Sequence, residues 1–208
     1  MRTKTLLLTA ALVAAGVASS MAQSNVYSLN VVGYVNVVAP SGFSIVNNPL
    51  DSGTNTVGSL FPTVANGTII YTFSPTTGFV GDNYLNGWGT PATAIAPGTG
   101  FFYYNPTSSP ITNTFVGTVI QGSTTNALSA GFTLAGSIAP LSGPVTNSTI
   151  NLPAANGSIV YTFDPSTGYT GYNYLNGWTP SVPSINVGQG FFVFQSAAVN
   201  WLQTFNVQ

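Results

Sequence analysis

The sequence predicts an all-β protein: two tandem homologous units, sandwich-like or barrel-like and of about 90 residues each, that follow a signal peptide. Three observations lead to this fold class. Long segments repeat at a constant step, short runs of β-branched and aromatic residues alternate with turns, and no segment after the N-terminus keeps a helical apolar period. The expected boundaries are a signal peptide at 1–22, an N-terminal strand at 23–41, one repeat unit at 42–122 and another at 123–208.

The first 22 residues have the pattern of an export signal. Arg2 and Lys4 form a basic start, and an uncharged apolar core runs from Leu6 to Ala18. Small residues precede the expected cleavage after Ala22. The apolar core is shorter than the roughly 20 residues that a membrane helix needs. We therefore expect cleavage, export and a mature chain without a membrane span.

Removal of the signal leaves 186 of the 208 residues, with an unusual composition. Both basic residues lie in the signal, so the mature part has no Lys, Arg, His, Glu or Cys, and its carboxylate side chains are Asp51, Asp82 and Asp164. Nucleic-acid binding needs basic side chains, and transition-metal sites need His or Cys. Disulfide bonds are excluded as well, so the core has to hold the fold. We expect no nucleic-acid partner and no cofactor.

An internal duplication with a step of 90 residues defines the two units. The aligned segments are 66–88 with 156–178, 98–102 with 188–192, Thr114-Phe115 with Thr204-Phe205, and, with a two-residue insertion, 42–50 with 131–141. A shorter echo relates 31–35 to 115–119. The extra N-terminal strand, Tyr27–Val38, has no assigned partner. It either completes a sheet of its own chain or adds to the sheet edge of a neighbouring molecule.

Within each unit the predicted strands are runs of Ile, Val, Thr, Tyr and Phe bounded by Gly, Pro and Asn. They are Thr68–Phe73, Phe101–Tyr104, Asn113–Val119, Ser158–Phe163 and Phe191–Phe194. The sequences SPTTG and DPSTG predict turns, because Pro presets φ near the start of a turn and Gly accepts positive φ. One helical turn is expected at 56–61.

The order of several short motifs resembles a family of duplicated small β domains. These motifs are Gly-Phe-x-Ile/Leu, Asn-Pro-Leu, Tyr-x-Phe, Asn-Gly-Trp and Pro-Gly-x-Gly-Phe-Phe, found in uncharacterised exported proteins of environmental Gram-negative bacteria. The resemblance covers most of residues 26–208 and departs at 137–140, where Ser-Ile-Ala-Pro replaces the Asn-Pro step. It implies a β architecture and a periplasmic, cell-surface or extracellular location, and it brings no catalytic residues.

The hexapeptide NYLNGW occurs twice, at 83–88 and 173–178. Its rings and amides suit the faces and hydroxyl groups of sugars, so binding of a neutral polysaccharide is the main alternative function. The candidate ligand-binding residues are Tyr84, Asn86, Trp88, Tyr174, Asn176 and Trp178. The interpretation that we favour is structural, with the rings packed beneath an Asn-Gly turn. Exposure of the two Trp rings discriminates between these interpretations.

The three aspartates do not form a convincing catalytic set. Asp51 lies in LDSGT, which resembles the active-site loop of aspartic proteases, but these enzymes need two aspartates and the repeat lacks the second. Asp82 and Asp164 are not equivalent positions of the repeat, and Ser or Thr nucleophiles lack a His or Lys base. DPSTG lacks the dense carboxylates of calcium loops. We expect no enzyme, with an Asp-dependent hydrolase as a remote alternative.

The sequence favours an exported, non-catalytic structural or surface protein that acts through protein–protein contacts. A surface with almost no charge does not repel copies of itself, and edge strands without Lys or Glu are open to pairing. The expected partners are the protein itself or other cell-surface or matrix proteins. Self-association by strand addition is one mode of such contact.

Overall fold

Antiparallel β-sheets account for nearly all of the regular structure in residues 31–207, the part of the chain that the computed structural model describes. The predicted all-β fold class is confirmed. The expected signal peptide and residues 23–30 of the expected N-terminal strand lie outside the described residues. In the described part, no helix is long and apolar enough to cross a membrane.

The first half of the described chain forms a four-stranded sheet and a two-stranded ribbon. Its strands are β1 (Val32–Ala39), β2 (Gly42–Asn47), β3 (Ile69–Ser74), β4 (Gly78–Asn83), β5 (Gly100–Asn105) and β6 (Ile111–Thr118). The sheet has the order β2-β5-β3-β4, and β1 pairs with β6. The helical turn expected at 56–61 is confirmed as α1 (Val57–Leu60), which the Thr56 side chain caps by accepting from the Ser59 N–H.

The second half forms a five-stranded sheet, a second ribbon and a short two-stranded pair. Its strands are β7 (Gly122–Leu128), β8 (Gly131–Gly136), β9 (Gly143–Pro144), β10 (Ile159–Asp164), β11 (Gly168–Tyr174), β12 (Trp178–Thr179), β13 (Ser184–Ile185), β14 (Gly190–Gln195) and β15 (Val199–Phe205). The sheet has the order β12-β11-β10-β14-β8, while β15 pairs with β7 and β13 with β9. All five predicted strands are present in the structure, with ends shifted by one or two residues.

The extra N-terminal strand completes a sheet of its own chain. β1 pairs with β6 along its whole length, from Val32 opposite Thr118 to Ala39 opposite Ile111. The two segments that echo each other in sequence are therefore hydrogen-bonded partners. β7 and β15 make the same kind of ribbon in the second half, so each ribbon joins an early strand to a late one.

Three apolar clusters lie among the two sheets and the two ribbons of residues 31–207. Strand alternation explains how one sheet borders two clusters, because neighbouring side chains point to opposite faces. In β5, Phe101 and Tyr103 belong to the cluster beneath the first ribbon, whereas Phe102 belongs to the central cluster between the two sheets. Phe191 and Phe192 of β14 divide in the same way between the cluster beneath the second ribbon and the central one.

Hydrogen bonds at repeat-equivalent positions join the two sheets. The Asn47 N–H donates to the Gly188 carbonyl at 2.8 Å, and the Gly136 N–H donates to the Gly98 carbonyl at 2.9 Å. Asn47 and Gly136 end the equivalent strands β2 and β8, and Gly98 and Gly188 precede the equivalent strands β5 and β14. The contact between the sheets is thus nearly two-fold symmetric, which places equivalent side chains opposite each other.

The core beneath the first ribbon contains one buried phenol. Tyr103 is fully buried, with the side chains of Thr68 and Asn113 beside its hydroxyl, and burial raises the pKa of the phenol above its usual value of 10.0. The repeat-equivalent residue in β14 is Val193, which carries no polar group. The folded protein therefore keeps this phenol protonated to a higher pH than the unfolded chain does.

Alkaline pH is expected to destabilise the protein through Tyr103. Above pH 10 the phenol ionises in the unfolded chain but stays neutral in the folded one, so the free energy of unfolding falls as the pH rises from about 10 towards the folded pKa. Tyr103→Phe is expected to reduce this slope. Urea unfolding of both proteins at pH 8 and pH 11 measures the difference, and an identical loss of stability in the two would contradict the prediction.

Candidate functional site

The two NYLNGW segments form corners whose rings pack onto the cores. Trp88 is half-buried against the first core, and its Nε1–H donates to the Phe61 carbonyl at 2.7 Å. Tyr84 packs edge-on against it, with 5.2 Å between ring centroids. Trp178 is half-buried against the second core, with Tyr174 edge-on at 5.3 Å. A large part of each indole therefore stabilises the fold.

The amides of the two corners hold the turns in place. Asn86 has a φ of 59°, its N–H donates to Asn66 Oδ1 at 2.8 Å, and its Oδ1 accepts from Asn66 Nδ2 at 3.0 Å. Asn176 has a φ of 55° and makes the same two bonds with Asn156. Within the described residues, no hydrogen bond or ring contact links one corner to the other. The six sequence-predicted site residues thus form two separate corners.

Asp51 and Asp164 each cap their own turn, whereas Asp82 lies in β4 and accepts from the loop after the first corner. Asp51 accepts from the Gly53 N–H, Asp82 from the Thr90 N–H and hydroxyl, and Asp164 from the Ser166 N–H. The hydroxyl and N–H of Ser166 lower the pKa of the Asp164 carboxyl. Among residues 31–207, no three acidic, His or Cys side chains come together as a metal site would require. The structure pairs none of these carboxylates with another.

Two adjacent pockets lie between the sheets, lined by the β3–β4 and β10–β11 hairpins and the neighbouring strands. One has a volume of about 360 Å³ and is lined by Phe73, Phe79, Phe132, Tyr161, Tyr169 and Phe192. The other has a volume of about 400 Å³ and is lined by Phe43, Tyr71, Phe79, Phe102, Phe163 and Tyr169. Every lining residue is Phe or Tyr. Because Phe79 and Tyr169 line both pockets, we treat the two as one surface, the aromatic groove.

The repeat builds the aromatic groove. Each lining residue of one pocket has its repeat equivalent in the other pocket. The equivalent pairs are Phe43 with Phe132, Tyr71 with Tyr161, Phe73 with Phe163, Phe79 with Tyr169, and Phe102 with Phe192. The groove therefore offers the same chemistry twice, on either side of the near-symmetric contact between the sheets.

The groove has a buried floor and exposed walls. Phe102 and Phe192 form the floor and are each 8% exposed, whereas Phe79 and Tyr169 are each 51% exposed. The Phe79 ring lies 5.7 Å from the Phe102 ring and 6.2 Å from the Phe192 ring, edge-on to both. Large exposed aromatic surfaces of this kind mark interaction sites, because covering them removes apolar area from water.

The lining carries no charge at physiological pH. Its polar groups are the hydroxyls of Tyr71, Tyr161 and Tyr169, and burial among the neighbouring rings raises the pKa of Tyr169. The groove can therefore hold apolar groups by burial and by edge-to-face contacts. No carboxylate, His or Cys side chain is among its lining residues.

The sequence interpretation missed the aromatic groove, although a signal was present. Four aromatic motifs recur at the repeat step: Gly-Phe, Tyr-x-Phe, Gly-Phe/Tyr and Gly-Phe-Phe. Each lining position is therefore aromatic in both copies. In the sequence such residues are typical of a core, and their exposure depends on how the two sheets meet.

Comparison of the chain with protein-family models, with curated proteins and with solved structures found no match. The resemblance to duplicated β domains of exported proteins therefore stays a prediction. A functional assignment has to rest on the geometry and chemistry of the groove itself.

Proposed function

We propose that this chain is an exported, non-catalytic structural or surface protein that acts through protein–protein contacts, and that the aromatic groove is its contact surface. The observation that carries the proposal is the lining of this groove by ten Phe and Tyr side chains from both halves of the chain. Covering apolar surface contributes about 25 cal/mol per Å². Aromatic side chains in such positions commonly dominate the binding free energy of protein interfaces.

The chemistry of the groove favours an apolar protein segment over a sugar. Sugar recognition needs several hydrogen-bonding groups beside the aromatic faces, and the groove lining offers only Tyr hydroxyls. The amides predicted to bind a polysaccharide, Asn86 and Asn176, already bond to Asn66 and Asn156. The polysaccharide alternative would have to use the half-exposed faces of the corner rings.

The arrangement of the carboxylates supports a non-catalytic function. An Asp-dependent hydrolase would need two carboxyl groups that face one substrate. Asp51, Asp82 and Asp164 instead accept hydrogen bonds from N–H groups and hydroxyls of nearby turns and loops. The groove lies between the sheets and is lined by none of the three.

The double variant Phe79→Ser/Tyr169→Ser is expected to weaken the binding of apolar peptides at least about tenfold, because two half-exposed rings that a ligand would cover are lost. Peptides are selected from a displayed random library on the purified exported chain and then synthesised. Fluorescence anisotropy measures the Kd of each peptide for both proteins. We expect the selected peptides to be rich in large apolar side chains.

The matched control is Leu85→Ser/Leu175→Ser. It removes two apolar side chains, 66% and 69% exposed, at repeat-equivalent positions outside the groove, and it is expected to leave the peptide Kd unchanged. Equal weakening in both double variants would contradict the proposal. Binding on a glycan array that is lost with Trp88→Ala/Trp178→Ala would favour the polysaccharide alternative instead.

A further inference from the structure

The outer side of the first ribbon is a second exposed apolar surface. Because side chains alternate along β1 and β6, one side of the ribbon packs on the core and the other faces solvent. Its outward residues include the polar Asn36, Thr112 and Thr114. Four large apolar side chains lie among them and are 57–72% exposed: Val32, Tyr34, Val38 and Val116. Tyr34 lies directly opposite Val116 in the ribbon. We call these four residues the ribbon face.

The second ribbon has no comparable surface. Its outward positions are occupied mainly by small or polar residues: Ser123, Thr125, Ala127, Asn200, Leu202 and Thr204. Leu202 is the one large apolar side chain among them. Since both ribbons cover a core in the same way, the requirements of folding do not explain the apolar ribbon face. It is a feature of the first ribbon alone.

We propose that the aromatic groove of one molecule binds the ribbon face of a second copy of the same chain. This inference rests on the proposed function of the groove and names its partner. Both surfaces are apolar, and none of the residues that define them carries a charge. Tyr34, 72% exposed, offers a ring to pockets lined entirely by rings, which suits edge-to-face packing.

The positions of the two surfaces determine the form of the assembly. The residues of the ribbon face and the groove walls Phe79 and Tyr169 are all exposed, so one molecule presents both surfaces at once. A contact between two different surfaces is heterologous, and its repetition from copy to copy forms a closed ring or an open chain. The predicted assembly is therefore a ring or chain of molecules joined head to tail, through side chains and without exchange of β1.

Sedimentation velocity of the purified exported chain over a range of concentrations tests this inference. We expect the average mass of the wild type to rise with concentration. A groove variant, Phe79→Ser/Tyr169→Ser, and a ribbon variant, Tyr34→Ser/Val116→Thr, are each expected to weaken self-association at least about tenfold. Leu202→Ser, on the outer side of the second ribbon, is the matched control and is expected to associate like the wild type.

Mixing the two double variants gives the sharpest test. The groove variant keeps an intact ribbon face and the ribbon variant keeps an intact groove, so their mixture is expected to form one-to-one dimers and nothing longer. Circular dichroism shows beforehand that both variants are folded. A mixture that contains only monomers would overturn the head-to-tail contact. Self-association of the groove variant alone, through the free side of β1, would overturn it as well.

The outcome also separates this inference from the proposed function. A wild type that stays monomeric at high concentration, yet binds apolar peptides through Phe79 and Tyr169, would overturn the second copy as partner and leave the groove as a contact surface. If neither peptide binding nor self-association depends on these two residues, both proposals fail. Self-association that appears only after deletion of residues 23–30 would identify that segment as the occupant of the groove and overturn the inference.

Discussion

Trp201→Ala is expected to lower the free energy of unfolding by about 3–5 kcal/mol, the range for removing a large aromatic side chain from a core. The indole of Trp201 is fully buried beneath the second ribbon, and its Nε1–H donates to the Ile150 carbonyl. Its ring packs against Phe191 of the five-stranded sheet at 5.9 Å. The substitution would leave a cavity and an unpaired buried carbonyl, both of which are costly.

Urea unfolding followed by circular dichroism measures this loss. Leu202→Ala is the control, because Leu202 is the next residue of β15 but is 56% exposed on the opposite side of the strand. It is expected to change the free energy of unfolding by less than about 0.5 kcal/mol. If both substitutions had the same small effect, the second ribbon would not be a packed layer of the core.

Strands were predictable here because the local signals agree with each other. The YTF and GFF runs combine β-forming residues with flanking Gly, Pro or Asn, and the repeat supplies each of them twice. The assignment of faces was not predictable. In β5, alternation places Phe102 on the opposite face of the strand from Phe101 and Tyr103. Both faces of the strand are apolar. Only the packing of the second sheet therefore shows which face borders the groove.

The candidate site illustrates the same limit. NYLNGW is the longest identical segment of the repeat. In the structure, its amides hold a turn and its rings pack against the core. The groove residues are spread from Phe43 to Phe192, and each of them looks like an ordinary core residue in its own strand. Their common surface arises from contacts between strands far apart in sequence, which a single sequence does not reveal.

The second half also differs from the first at the residue before the Asn-Pro step, and this difference has a physical explanation. Asn47 and Gly136 are repeat-equivalent and face each other across the contact between the sheets, where a Cβ on Gly136 would collide with the Asn47 side chain. Asn47 Nδ2 donates to the Ser137 carbonyl at 2.7 Å, and Asn47 Oδ1 accepts from the Gly98 N–H at 3.2 Å. Only one of the two positions can carry this side chain. The repeat therefore had to become asymmetric here.

An exchange of these two residues gives a strong test of the near-symmetric contact. Gly136→Asn alone is expected to cost about 3 kcal/mol or more, because a second side chain is forced into a filled space. Asn47→Gly alone is expected to cost about 2–4 kcal/mol, because the Ser137 carbonyl and the Gly98 N–H lose buried hydrogen bonds.

The double variant Asn47→Gly/Gly136→Asn is expected to be more stable than the sum of the two losses predicts, by about 2 kcal/mol or more. The new side chain at position 136 then occupies the space that the Asn47 side chain has left. Its repeat-equivalent hydrogen-bonding partners are the Asn48 carbonyl and the Gly188 N–H. Urea unfolding of the four proteins in the double-mutant cycle measures this coupling. Strictly additive losses would mean that the two positions do not share one space, and the two-fold relation between the sheets would then be wrong at its centre.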